Sequence, residues 1–216
     1  MSHILLSICT VVVLLFNRAN TALTQSPNKV LSEATYSLLD RYEDPYVNSV
    51  FSDNILLTLA YMSGKVKKGD KIPWNIVDAP SVTVLKLKPG EIFAFHDNVL
   101  SKYKGKVVST TNAHFNSSEG FKSDGWLIGD GVCHLASFMH AVSVSAGLLS
   151  EAPTKHDFAK IADVPEQYGV SIYYSPNDSA TSMIQNLYIT NNRSKTIAYV
   201  FTQKNDLLNI RVEEIN

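Results

Sequence analysis

Cys133 closes the run Gly129-Asp130-Gly131-Val132-Cys133, immediately ahead of a stretch with helical spacing. A thiol at a helix start is placed for nucleophilic chemistry, because the unsatisfied N–H groups and the dipole there favour a thiolate. The same N–H groups can receive an oxyanion during acyl transfer. The flanking glycines, Gly129 and Gly131, let the backbone turn sharply and approach a substrate closely. Such a nucleophile also needs a base, and a group that orients the base.

The candidate bases past residue 22 are His96, His114, His134, His140 and His156. His140 lies two helical turns beyond the thiol, about 10 Å along the axis at 1.5 Å per residue. His134 adjoins Cys133, and consecutive helical positions do not face each other. His156 follows the helix in Thr-Lys-His-Asp, where a returning chain can reach the helix start, so it is the expected base. Asp178, in Ser-Pro-Asn-Asp-Ser, is the expected orienting carboxylate, with Asp157 as a local competitor. Gly131, at the turn into the helix, is an expected positioning or oxyanion group. The same residues also allow a plainer reading, in which Cys133 is a small buried hydrophobe. No His or Cys pair has i,i+4 or C-x-x-C spacing, so neither a metal nor a cofactor is expected.

The elements that must position these groups read as an α+β fold. Asp53 is a plausible N-cap for a helix carrying Ile55, Leu56, Leu59 and Met62, and Gly64 ends that helix. Helical character is read over the whole stretch from Val30 to Met62, after a short polar leader at 23–28. Val82–Leu87 and Ile92–Phe95 read as strands around a Lys-Pro-Gly-Glu turn, and Tyr103–Gly125 as long polar loops. From Cys133 to Leu149, apolar residues recur at three, four and seven, which marks one amphipathic central helix. Val170–Tyr174, Asn186–Thr190, Thr196–Thr202 and Leu207–Glu213 are β-branched and aromatic, and predict a C-terminal antiparallel sheet. Early helices, a central helix and a terminal sheet define the class.

Composition bounds the function. The chain has 216 residues, 45% hydrophobic and 18% charged, so it can bury a real core. Nineteen basic against twenty acidic residues give a net charge of -1, which argues against capture of nucleic acid or of an anionic membrane surface. The apolar run Ile4–Phe16 is too short to span a bilayer comfortably but suits the h-region of a signal peptide, with small residues following at 19–22. An extracytoplasmic protein is expected, secreted or anchored to the outer face of the membrane through that segment. Its divisions would be 1–22 as signal or anchor, 23–80 as a helical extension, and 81–216 as the α+β domain. Of the two cysteines, Cys9 falls in the apolar run, which leaves Cys133 alone in the exported part. Asn116-Ser-Ser, Asn177-Asp-Ser and Asn192-Arg-Ser match the glycosylation pattern but read by default as turns.

Two blocks resemble the VanW-like family of bacterial envelope proteins, named for an accessory member of glycopeptide-resistance clusters. Leu87-Lys-Pro-Gly-Glu-Ile-Phe-Ala-Phe-His-Asp-Asn-Val resembles the family's L-x-P-G-E-x-F-S-F-N segment. Gly129-Asp-Gly-Val-Cys-His-Leu-Ala-Ser, with Ala146-Gly-Leu after it, resembles the G-G-G-V-C-Q-V-S-S/T … A-G-L signature. His156 and Tyr174-Ser-Pro-Asn-Asp-Ser-Ala-Thr resemble the family's histidine and its Y-V-P-x-G-x-D-A-T segment. The resemblance covers 82–213 and marks Gly129, Gly131, Cys133, His156 and Asp178. It departs at Asp130 (glycine in the family), His134 (glutamine), Ala136 (a hydroxyl residue) and His96 (asparagine), and no Pro-Val follows His156. By this resemblance His134 takes the glutamine's place as an expected positioning or oxyanion donor.

The function expected from these readings is cysteine-dependent acyl transfer or amide hydrolysis on peptidoglycan-related peptide. Cys133 would be nucleophile, His156 base and then acid, and Asp178 orienter. The alternative expectation is a non-catalytic module that binds cell-wall glycan or peptide, with Cys133 structural.

Overall fold

The computed structural model of the protein describes residues 28–126 and 129–215, so the expected signal or anchor segment lies outside the described residues. Among the described residues, eight strands and four α-helices follow one another as β1 (Lys29–Ser37), α1 (Pro45–Met62), α2 (Trp74–Val77), β2 (Ser81–Leu87), β3 (Ile92–Ala94), β4 (Val107–Ser109), α3 (Val132–Ser145), β5 (Leu149–Glu151), α4 (Ser179–Ile184), β6 (Tyr188–Thr190), β7 (Thr196–Lys204) and β8 (Leu207–Ile215). The fold is α+β, with strands dominating the C-terminal part.

The strands form two sheets. One is fully antiparallel in the order β1-β8-β7-β2, and the other runs β4-β3-β6-β5 with a single parallel pair, β3 with β4. The β7–β8 hairpin turns at Asn205 and Asp206, both at positive φ, as a two-residue turn with this handedness requires. Alternation on β2 buries Thr83, Leu85 and Leu87 and exposes the residues between them. The helix α3 packs on β1, β5, β8 and α1, and its Leu135, Phe138 and Met139 are fully buried. Tyr36 of β1 stacks on Phe138 with ring centroids 3.8 Å apart.

Several boundaries differ from the sequence reading. The stretch expected to be a helical extension over 23–80 opens with β1, which pairs with β8 along nearly its whole length. It is therefore an edge of the same sheet that carries β2 and β7. Helix α1 starts nine residues earlier than an N-cap at Asp53 would place it, because Asp44 accepts from the Tyr46 and Val47 amides and Pro45 fits the first turn. Asp53 caps nothing and instead pairs with Lys122. Helix α3 ends at Ser145, and Leu149 passes into β5. The segment 170–174 is extended but belongs to no sheet, since its amides are taken alternately by two sides. Val170 and Ile172 donate to Ser137 Oγ and Cys133 Sγ on α3, while Ser171 and Tyr173 donate to Thr154 O and Gln185 O.

One buried amide holds the polar loop to the helical layer. Asn54, fully buried on α1, donates to the carbonyls of Lys122 at 3.0 Å and Asp130 at 2.8 Å, and accepts from the Lys122 amide at 2.9 Å. Replacing it leaves those backbone groups unpaired in a dry site. Asn54→Ala is expected to lower unfolding free energy by about 2–4 kcal/mol, read by urea denaturation.

Candidate functional site

The loop that Asn54 clamps leads directly into the start of α3. Gly131 is the N-cap residue at φ 93°, in the left-handed region. A Cβ there would stand 2.3 Å from the Phe51 carbonyl oxygen of α1, so no side chain fits. This close approach fixes α3 against α1 and sets Cys133 and His134 at the second and third helical positions.

Around that helix start lies a cleft of about 770 Å³. Its wall includes Gly129, Gly131, Cys133, His134 and His156, which the sequence had singled out. The structure adds residues that the sequence reading passed over, among them Arg41, Phe51, Trp126 and Phe158. Trp126 is 91% exposed and Phe158 72%, an unusual outlay of apolar ring on a surface. Tyr42, Tyr173 and Tyr174 join them, so the cleft has an aromatic rim above a polar floor.

His156 is held by backbone on both sides. Its amide donates to Gly169 O at 3.2 Å, and a Cβ on Gly169 would stand 2.8 Å from the His156 carbonyl. Its Nδ1 faces Ala159 O at 3.0 Å, which places the proton on Nδ1 and leaves Nε2 as an acceptor. The orienting group is thus a backbone carbonyl. Asp178, expected in that role, is exposed and caps α4 by accepting from the Thr181 amide at 3.1 Å. The Thr181 side-chain hydroxyl, and then its amide, hold the carboxyl below the usual range. An Asp at a helix N-cap satisfies its preference locally, which is why the Ser-Pro-Asn-Asp-Ser segment carries one.

The Cys133 sulfur is also engaged by backbone. It accepts from Ile172 N–H at 3.4 Å, and its own proton is directed at Ile172 O, 3.7 Å away. Burial pushes the thiol up to about 11, against the smaller lowering by the Ile172 amide, and the Asp130 charge raises it further. The expected lowering by the helix start is therefore overruled. Although the residue keeps some surface on the cleft, desolvation outweighs a partial dipole charge.

The neighbouring histidines are neutral for the same reason. Burial lowers His134 to about 3, with Arg41 and His156 adding to the effect, and burial lowers His156 as well. The two rings meet edge to face with centroids 6.4 Å apart. Asp130 is raised to about 6 by burial and then by the charge of Asp124, to which it is hydrogen-bonded. At neutral pH the floor thus holds a neutral thiol and two neutral imidazoles. Among the described residues, no group of three or more His, Cys, Asp or Glu could hold a metal ion.

Comparisons with family models, curated proteins and solved structures gave no match for this chain.

Two measurements check these protonation states. At pH 7.5 native Cys133 is expected to react with iodoacetamide about a hundredfold more slowly than an unfolded cysteine, since its pKa of about 11 replaces 9.0. The second concerns stability. His134 and His96, lowered from 6.5 to about 3 and 4, contribute stability that is present above pH 6.5 and lost as pH falls toward those values. Asp130 acts oppositely: raised from 3.8 to about 6, its contribution is lost as pH rises through that window. With four histidines lowered by burial (His96, His134, His140 and His156) set against two raised carboxyls (Asp78 and Asp130), the urea midpoint is expected to be lower at pH 4.5 than at pH 7.5. His134→Phe should shrink the difference.

Proposed function

We propose that this chain is an extracytoplasmic envelope protein whose cleft binds cell-wall peptide or glycan, with Cys133 as a structural group. The reading is carried by the engagement of the Cys133 sulfur with both backbone groups of Ile172, at the floor of an aromatic-rimmed cleft. A sulfur used this way ties the 170–174 segment to α3, together with the Ser137 hydroxyl that accepts from Val170 at 2.9 Å. A thiol whose neutral form is favoured by burial is a poor nucleophile at neutral pH. The exposed rings suit a ligand with apolar faces and polar edges, such as a sugar ring or a peptide backbone with small side chains. The wall as source of ligand, and an exported location, rest on the apolar run at 4–16 and on the two blocks similar to VanW-like proteins.

A second reading is favoured by one observation: Cys133 and His156 line the same cleft, and the Ala159 carbonyl leaves His156 Nε2 as an acceptor. In that reading Nε2 takes the thiol proton, the sulfur attacks an amide or ester carbonyl carbon, and the C=O π pair moves to an oxyanion at the helix start. The oxyanion then collapses to a thioester as the amine or alcohol leaves with the proton from Nε2, and water or an acceptor amine releases the acyl group and the thiol. The geometry at rest favours it less, because the sulfur bonds to Ile172 backbone and Asp178 is occupied at α4.

Trp126 reports on the cleft directly, being one of two tryptophans in the chain. Titration with solubilised peptidoglycan fragments is expected to give a saturable change in tryptophan fluorescence, lost in Trp126→Phe. By calorimetry, Trp126→Ala should weaken binding roughly tenfold, or about 1.4 kcal/mol. Cys133→Ser, which keeps an acceptor for Ile172, should bind like the wild type. Release of a cleaved product by the wild type and not by Cys133→Ser would favour the enzyme.

A further inference from the structure

At the floor of the cleft, Arg41 and His134 are buried side chains with nitrogens that no protein group satisfies, and Asp130 Oδ2 on the same wall is a third atom without a partner. Arg41 is 3% exposed; its Nη2 binds Asp163 at 2.6 Å and its Nη1 donates to Ala162 O at 3.0 Å, but Nε has no hydrogen-bond partner. His134 is 4% exposed, and its Nδ1 likewise has none. Orphaned polar atoms of this kind are rare in folded interiors and cost free energy unless a ligand or solvent completes them.

Both residues line the cleft, and both flank one ring. The Arg41 guanidinium carbon lies 5.2 Å from the Phe138 centroid, and the His134 ring centroid lies 6.3 Å from it. Phe51 meets the His134 ring edge to face at 5.0 Å, so that imidazole is caged and cannot swing out to solvent. The positive end of the 14-residue helix α3 opens on the same cleft. A permanently charged guanidinium with an unused N–H, an imidazole with an unpaired nitrogen and a helix start make an environment for an anion.

We infer that the cleft floor is a carboxylate subsite, formed by Arg41 Nε–H, His134 Nδ1–H and the start of α3, that receives a carboxylate of the bound ligand. A planar carboxylate presents two oxygens, one for each orphaned donor, and Arg is the side chain best suited to it. Asp163 offsets the delocalised guanidinium charge, but it reaches Arg41 only at Nη2 and is half-exposed, so Nε–H stays free for a ligand. The acidic residues of the wall are Asp130 and Asp124, which are hydrogen-bonded to each other. The carboxylate could be the free C-terminus of a peptide or an acidic side chain, and the two are told apart by choice of probe. This inference rests on the binding reading above and specifies what part of the ligand the cleft takes.

The test is an NMR titration of the full chain with three small probes: acetyl-Ala-Ala, its C-terminal amide, and acetyl-Glu-amide. The expected result is saturable shifts at cleft amides with a carboxylate probe and at least tenfold weaker binding of acetyl-Ala-Ala-amide. If acetyl-Ala-Ala alone binds, the source is a chain terminus; if acetyl-Glu-amide also binds, an acidic side chain serves. His134→Phe keeps the caged ring and removes Nδ1, and Arg41→Lys keeps the Asp163 pair and removes Nε. Each is expected to weaken the carboxylate probe tenfold or more while leaving thermal unfolding cooperative. Equal binding of acid and amide, or shifts unaltered in both variants, would overturn the subsite and leave cleft binding intact. No shift with any probe would overturn it too, while fluorescence titration with wall fragments independently decides the binding reading.

Discussion

The contact of Gly131 with the Phe51 carbonyl is the constraint on which the site depends. Two helices meet there at backbone distance, and only a residue without a side chain permits it. The position of the α3 start follows, and with it the direction in which Cys133 and His134 leave the helix. Asn54, one turn along α1 from Phe51, fastens the incoming loop at Lys122 and Asp130, so the approach is fixed from both sides. Everything on the cleft floor is referenced to α1, an element outside the stretch whose motifs first drew attention.

Burial then decides the chemistry. A helix start lends a partial positive charge, which in an exposed setting would favour a thiolate. Here the surrounding protein disfavours every charged form, and the thiol and both imidazoles of the floor are held neutral. The exception is Arg41, whose charge cannot be lost and is kept by its pair with Asp163. A floor with a permanent guanidinium, neutral imidazoles and an aromatic rim holds no resting thiolate–imidazolium pair.

Much of this was legible in the sequence, and the reasons for the rest are physical. The Gly-flanked Cys133 stood out because glycines at positive φ leave a pattern that does not depend on tertiary context. The paired strands β7 and β8 were legible through alternation and the Asn205-Asp206 turn. Strand β1 was not, because Ser, Glu and Ala dilute its apolar face and only its pairing with β8 makes it a strand. The 170–174 segment has strand composition but finds side-chain acceptors on α3 in place of a neighbouring strand. Asp178 looked like a catalytic carboxylate because an N-cap and an orienter use the same residue type. Arg41 gave no signal at all: a lone arginine in Leu-Leu-Asp-Arg-Tyr reads as surface until α3 and the 156–169 loop close over it. Trp126 lies three residues before Gly129, so its place beside the glycine motif is legible in the sequence, whereas its exposure on the rim is not.

The central claim is that this cleft holds a wall-derived ligand without transforming it. The most direct measurement is a two-sided NMR experiment, in which labelled protein and a defined disaccharide-peptide wall fragment are observed in one sample over a day. The account predicts amide shifts at Gly131, Cys133, His134, Trp126 and Ile172, with the fragment's own signals unchanged in number and intensity. Conversion of the fragment's signals into those of a cleaved product would contradict it, and so would shifts confined to residues outside the cleft.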